Sequence, residues 1–343
     1  MGAVFVFSTD HFRQDAYQKY QDKRVMKHIF IVNPNAGKHK HVKELCENIS
    51  EVAERLGVDF QILMPKTKED GPVMIDKIAN ETEETVRFYA CGGDGTLNRV
   101  ANAVIKHGNA EVALLPFGTG NDFMRNFSEK NNFYDIEKQI NGTAEKIDTI
   151  LCNEQYCVNM INIGFDCDVV ARAEEFRNRF PFASPFAYSA GVVRTLLRDY
   201  GTKMKITFPD GEVIDKELLL TAIGNGGYCG GGYHSNPRAV LTDSLFDLCL
   251  VNKVSRPTFI RLIGSYKKGT HLETKIGKDV IVYRQLDRLS MQFESEIGIC
   301  IDGEIFSSDH ADLSICKKSL SFSIPEGSFY RPYQENTSDT SEA

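Results

Sequence analysis

Four short strand-like runs alternate with helical stripes in the first third of the chain, and this alternation restricts the fold more than any other feature. His28–Val32 stops at Asn33-Pro34, Phe60–Met64 at Pro65, Val86–Cys91 at Gly92-Gly93, and Val112–Leu115 at Pro116. Between them the apolar positions recur at helical spacing. Val42, Leu45, Cys46, Ile49, Val52, Ala53 and Leu56 form one stripe closed by Gly57, a second helix falls at about 73–80, and Leu97, Val100, Ala101, Val104 and Ile105 form a third stripe ending near Gly108. Strands joined through helices need crossover connections, so the pattern predicts a parallel sheet with helices on both faces. In such sheets ligands bind beyond the carboxyl ends of the strands, and all four ends here run into loops with chemical potential.

The texture changes after about residue 147. Ile147–Cys152 and Tyr156–Ile163 flank the polar turn Asn153-Glu154-Gln155, and Lys203–Phe208 and Val213–Ile223 flank Pro209-Asp210-Gly211. Both read as hairpins. Further strands are expected at 246–251, 280–283, 288–294, 297–301 and 319–324, interrupted by helices at about 169–178 and 258–268. The second half therefore reads as a mainly antiparallel β-sandwich. A chain of 343 residues suits two domains. The expected boundaries are an arm at 1–24, an α/β domain at 25–146, the sandwich at 147–325, and a return followed by a disordered acidic tail at 326–343.

Composition removes several functions. With 42% hydrophobic and 25% charged residues the chain is globular, and no apolar run approaches the roughly 18 residues that span a bilayer. The N-terminus lacks the basic leader of a secretory signal and the Ser or Thr that myristoylation wants at position 6. A net charge of −7 provides no field for nucleic acid. Nine scattered cysteines without a CxxC fit reduced packing residues of a cytoplasmic protein.

Gly92-Gly93-Asp94-Gly95-Thr96 follows a buried strand and opens a helix. Its glycines allow amides to approach phosphate oxygens, and the helix start adds positive potential. Asp94 against bare phosphate is costly and points to a metal ion, a water relay or proton transfer. The plain alternative is a tight capped turn. Pro116-Phe117-Gly118-Thr119-Gly120-Asn121-Asp122 follows the next strand, with Thr119 and Asn121 able to bond phosphate or base; it also reads as a turn capped by Asn121 or Asp122. Asn33-Pro34-Asn35-Ala36-Gly37-Lys38 follows the first strand and is no Walker A loop. Thr67, after the second strand, is a weaker candidate of the same kind.

These three loops, in this order, resemble the bacterial diacylglycerol kinase-like lipid kinases, relatives of the eukaryotic diacylglycerol, sphingosine and ceramide kinases, over roughly residues 27–325. The GGDG element is shared with NAD kinases and phosphofructokinases, whereas Gly118–Asp122 at this distance favours the lipid-kinase branch. The resemblance implies an NAD kinase/phosphofructokinase-like first domain, with ATP and Mg²⁺ as cofactors. It implies nucleotide contacts from Asn33, Pro34, Asn35, Ala36, Gly37, Thr67, Gly92, Gly93, Asp94, Gly95, Thr96, Leu97, Asn98 and Thr119. It implies that Glu304, within Asp302-Gly303-Glu304, is a general base, though this segment read alone is a hairpin turn. Asp94 is the second catalytic candidate. A structural Mg²⁺ site is implied at Asp243, with main-chain carbonyls near Val240 and Leu245, although Ser244 replaces the glycine that usually follows the aspartate.

The implied acceptor is a lipid hydroxyl at the bilayer surface, most simply diacylglycerol. Residues 172–205 hold seven basic against three acidic residues, interleaved with Phe176, Phe180, Phe182, Phe186 and Tyr188. That mixture suits peripheral contact with a membrane or a helix pair packed on the sandwich. The glycine-rich stretch Gly226–Tyr233 reads as a mobile loop that shapes a substrate mouth or is slack surface. Kinases for undecaprenol, phosphatidylglycerol or a sphingoid base, a soluble-substrate kinase of the NAD kinase type, and a non-catalytic lipid-binding protein are the alternatives. The sequence permits a homodimer without fixing the oligomeric state.

Overall fold

Strands β1 (Lys27–Val32), β2 (Asp59–Leu63), β3 (Val86–Gly92) and β4 (Ala110–Pro116) pair in parallel in the order β2-β1-β3-β4. The computed structural model that shows this describes residues 26–34, 39–165 and 201–331, together with Cys167 and Val169. Successive side chains of a strand point to opposite faces, and here both faces are apolar. Ile29, Ile31, Phe88, Ala90, Val112 and Leu114 pack against Ile75 and Ala79 of α2 (Asp70–Asn80) and Leu97, Val100 and Val104 of α3 (Asp94–Val104). Phe30, Val32, Tyr89, Cys91, Ala113 and Leu115 pack against Val42, Leu45, Ile49 and Ala53 of α1 (His39–Leu56) and Ile136 and Ile140 of α4 (Ile136–Ile140). Each such Ile, Leu or Phe contributes about 1.5–3 kcal/mol through burial. The sheet thus carries helices on both faces. Gly57, at φ +65°, turns the chain out of α1 where a side chain is disfavoured.

The remaining strands are β5 (Thr143–Cys152), β6 (Gln155–Cys157), β7 (Met160–Gly164), β8 (Thr202–Thr207), β9 (Val213–Gly224), β10 (Phe246–Asn252), β11 (Ile281–Leu286), β12 (Arg288–Ile301) and β13 (Glu304–Ile324). They pair antiparallel with one another. β12 is one strand where the sequence suggests two. Its first half pairs with β8 and its end with β7, and the register shift between Gln292 and Ile297 marks the change. Ile161, Ile163, Ile223, Phe246, Leu248 and Leu250 meet Ile150, Met204, Ile206, Leu289, Met291 and Leu313 in the core of this half. Phe259, Leu262 and Tyr266 of α5 (Arg256–Lys268) cover the other face of β9 and β10. Two short helices, α4 and α6 (Lys275–Val280), lie where the sequence gives no clear period. Seven of the nine cysteines are buried. The arm, most of the expected helix at 169–178, most of the aromatic–basic segment and the acidic tail lie outside the described residues.

β13 joins the two halves. Leu320–Ile324 pairs with β5 on one side, and Phe322 stands opposite Val112 of β4 in parallel on the other. The Phe322 ring meets Phe123 at 4.9 Å between centroids and Phe127 at 5.6 Å. Farther on, the Tyr330 hydroxyl donates to the Ala239 carbonyl and accepts from the Leu241 amide, both at 3.0 Å.

Buried Asp148 anchors two left-handed residues near this junction. Its Oδ2 accepts from the Ser244 amide at 2.7 Å and its Oδ1 from the Lys318 amide at 2.6 Å, with Ser244 at φ +67° and Lys318 at φ +49°. Left-handed backbone disfavours a side chain such as that of Ser244. Replacing Ser244 with Gly is expected to raise the unfolding free energy by about 0.5–1 kcal/mol, measured by urea denaturation. A variant no more stable than the parent would show that the Asp148 bond removes the strain.

Candidate active site

The ends of β1 and β2 and the first turns of α3 surround a cleft of about 240 Å³ that also receives Glu304 from the second half. Asn33, Pro34, Thr67, Thr96 and Glu304, all singled out from sequence, line it together. So do Lys66, Lys68 and Arg99, which sequence reasoning passed over, and Ile31, Pro65, Pro72, Ile75 and Val100 form an apolar side. Asn33 donates through Nδ2 to Thr96 Oγ1 at 3.2 Å, which links the first loop to the start of α3. Asn35, Ala36 and Gly37 lie outside the described residues.

Gly93 and Gly118 show why the two glycine loops need glycine. A Cβ on Gly118 would overlap Gly93, and one on Gly93 would stand 3.1 Å from Gly118 Cα. The loops therefore touch backbone to backbone. Phe117 N donates to Gly92 O at 2.7 Å. Asn121, left-handed at φ +48°, closes its own loop, accepting from Gly118 N at 3.0 Å and donating to Gly118 O at 2.9 Å. Its side chain thus shapes the loop, whereas Thr119 is exposed at the tip.

Asp94 lies beneath these loops. Its Oδ1 accepts from the Asp122 amide at 2.9 Å and the Phe123 amide at 3.2 Å. Its Oδ2 and that of Asp122 both flank Gly120. Burial pushes the Asp94 carboxyl up to about 7, reinforced by neighbouring Asp122 and opposed by the two amides. Asp122 is raised by burial as well, against the Gly231 amide and Arg125. Asp122 is paired with Arg125 Nε at 3.1 Å, whereas Asp94 has no such cation among the described residues and its Oδ2 faces Gly120. Leu97 and Asn98 point elsewhere: Leu97 is in the core, and buried Asn98 donates to Tyr156 O and Asp302 Oδ2, both at 2.8 Å.

The hairpin between β12 and β13 carries the two carboxylates of Asp302-Gly303-Glu304 in different directions. Asp302 and Gly303 have φ +48° and +89°, the tight turn that suits two antiparallel strands. Asp302 turns inward. Its oxygens accept from the amides of Val158 at 2.7 Å, Asn159 at 3.0 Å and Met160 at 2.8 Å, and from Asn98. Those amides leave the ladder, which breaks the single strand expected at 156–163 into β6 and β7. Glu304 turns into the cleft over Gly95, where a Cβ would stand 2.8 Å from Oε1. Its Oε2 meets Lys68 Nζ at 2.7 Å and its Oε1 meets the Arg99 guanidinium.

The glycine stretch Gly226–Tyr233 is tied rather than slack. Gly226 N bonds Asn159 O at 2.9 Å, Gly227 N bonds Asn126 Oδ1 at 2.8 Å, and Gly231 N bonds Asp122 Oδ2 at 2.8 Å. A Cβ on Gly226 would overlap Asn159. His234 stacks on Tyr228 at 4.1 Å, and burial lowers its pKa to about 4. A histidine held neutral in the fold stabilises it above its unfolded pKa near 6.5 and loses that contribution as pH falls towards 4. Wild type is expected to lose about 1–2 kcal/mol more than His234→Gln between pH 7 and pH 4.5, by denaturant titration at each pH. Parallel pH profiles for the two proteins would refute this.

Residues 27–152 match the family model described as the diacylglycerol kinase catalytic domain, and residues 159–320 match the YegS C-terminal NAD kinase beta sandwich-like domain. The chain belongs to the diacylglycerol kinase-like family of lipid kinases. A diacylglycerol kinase of Staphylococcus carnosus (strain TM300) is 25% identical over 276 residues, covering 80% of this chain and 87% of that one. A protein of Alcanivorax borkumensis named "Probable lipid kinase YegS-like" is 25% identical over 247 residues, covering 70% and 79%. The solved diacylglycerol kinase of Bacillus anthracis str. Sterne shares the fold, with a TM-score of 0.65 at 22% identity over 89% of this chain and 97% of that one. For a lipid kinase the cleft has a suitable build: the cations Lys66, Lys68 and Arg99 on the α/β side, and one carboxylate delivered by the β side.

Proposed function

We propose that the protein transfers the γ-phosphoryl group of ATP to the hydroxyl of a membrane lipid, with diacylglycerol giving phosphatidic acid as the leading case. The observation that carries this reading is the position of Glu304, brought by the second half over Gly95 at the mouth of a cationic cleft. The apolar side of the cleft suits a nucleotide base. Asn33, Thr67, Thr96 and the glycine loops suit its sugar and phosphates, with Pro34, Asn35, Ala36, Gly37 and Thr119 as further contacts. Phosphoryl transfer depends on positioning and charge neutralisation. Glu304 would accept the acceptor's proton.

Mg²⁺ bound with the nucleotide would neutralise phosphate charge, and Asp94 is the carboxylate that would help to hold it. Among the described residues no three His, Cys, Asp or Glu side chains converge on a metal position, so phosphate oxygens and water would complete the set. A second Mg²⁺ would rest on Asp243 with the carbonyls of Val240 and Leu245. Burial and then Asp148 raise the Asp243 carboxyl, the behaviour of a group short of positive charge.

No described helix is long and apolar enough to cross a membrane. The reading, taken from the family resemblance, places the protein in the cytoplasm, meeting the bilayer peripherally through the aromatic–basic segment 172–205, as a monomer or homodimer. Incubation with labelled ATP and mixed micelles of diacylglycerol, undecaprenol, phosphatidylglycerol or a sphingoid base tests it. Label in phosphatidic acid is the expected result. Label in another lipid reassigns the acceptor, and label only in a soluble product or none beside tight lipid binding overturns the reading.

A further inference from the structure

Glu304 is the single acidic residue among the described residues lining the cleft, and both of its oxygens are engaged by cations from the other half of the molecule. Lys68 lies in the loop between β2 and α2, and Arg99 lies one turn into α3, beyond the Gly92–Thr96 loop. Neither residue has a second acidic partner in an ion pair among the described residues.

We propose that Lys68 and Arg99 are polyphosphate-binding cations, and that before phosphate arrives they clamp the Glu304 carboxylate, so that nucleotide entry itself releases the base. The inference rests on the nucleotide reading above. Its physical basis is competition. A polyphosphate offers several negative charges and many acceptor oxygens where Glu304 offers one charge and two oxygens. Arg binds phosphate through paired N–H donors. The Lys68 pair is cheap to break, because its side chain is 65% exposed and exposed pairs hold weakly. Arg99 and Glu304 are less exposed, at 23% and 28%, and Arg99 makes the firmer half of the clamp. A clamp of this kind keeps the carboxylate engaged while the cleft holds no phosphate donor.

The competition gives opposite signs for the two sides of the clamp. Binding of a non-hydrolysable ATP analogue and of inorganic tripolyphosphate, both with Mg²⁺, is measured by calorimetry for wild type, Glu304→Gln, Lys68→Gln and Arg99→Gln. Thermal melts confirm that each variant is folded. Glu304→Gln is expected to bind both ligands about five- to tenfold more tightly, the worth of one or two modest ion pairs. Arg99→Gln is expected to bind about tenfold more weakly, and Lys68→Gln about threefold more weakly. The double variant Arg99→Gln/Glu304→Gln should lose most of the tightening.

Glu304→Gln binding no more tightly than wild type overturns the exchange. Arg99→Gln with unchanged affinity but a lowered melting temperature would make the pairs a tether between the domains. Tripolyphosphate that follows the expected pattern while the analogue does not bind would keep the clamp and sink the nucleotide reading. Failure of both ligands to bind overturns both.

Discussion

Glu304→Gln is expected to lower kcat by about 10²–10⁴-fold, the usual contribution of a positioned proton acceptor, in a protein that remains folded. The isosteric amide fits the same space over Gly95 but cannot take a proton. A steady-state assay with the lipid that proves to be the acceptor, at saturating ATP, provides the measurement. Retention of wild-type kcat would remove Glu304 from the chemistry. Gly95→Ala tests the same placement from the other side, because the new methyl would press on the Glu304 carboxylate.

Asp302→Ala should lower the unfolding free energy by about 3–5 kcal/mol, the range for breaking a buried charged network. Three backbone amides and Asn98 would lose their acceptor inside the protein, and each unsatisfied buried donor costs about 1–3 kcal/mol. Asp302→Asn keeps one acceptor oxygen but brings donors into a site already full of them, so a loss of about 1–2 kcal/mol is expected. Equilibrium urea unfolding distinguishes the three proteins. An alanine variant with the wild-type midpoint would mean that water replaces the carboxylate. The same substitution frees the turn that carries Glu304, so activity should fall with stability.

The sequence displayed the local features of this molecule and concealed the distant ones. Strand ends, helix stripes and the tight turn at Asp302-Gly303 are legible because period, glycine and proline act on near neighbours. Asp302 draws on Val158 and Asn98, 144 and 204 positions away, and no spacing rule announces such a partner. Lys68 and Arg99 look like ordinary solvated charges until the second half brings a carboxylate to them. Asp94 reads as a group aimed at phosphate or metal, yet one of its oxygens is bonded to the amides that begin the next element. The glycines at 226–232 suggested slack, whereas those at 226, 227 and 231 are tied to neighbouring residues. Composition records that a side chain is missing but not whether empty space or another chain segment stands in its place.

The path of β13 has a consequence for how such proteins can be recombined. A break near residue 152, where the first family match ends, would deprive β4 of Phe322 and leave its edge open. The natural seam lies instead at two points at once. One is the start of β5; the other is Lys318, where the left-handed backbone and the Asp148 bond interrupt the long strand. A chimaera that exchanges the second half between relatives should therefore keep residues 320–331 with the α/β half. By its packing, the strand end around Phe322 belongs to the first domain.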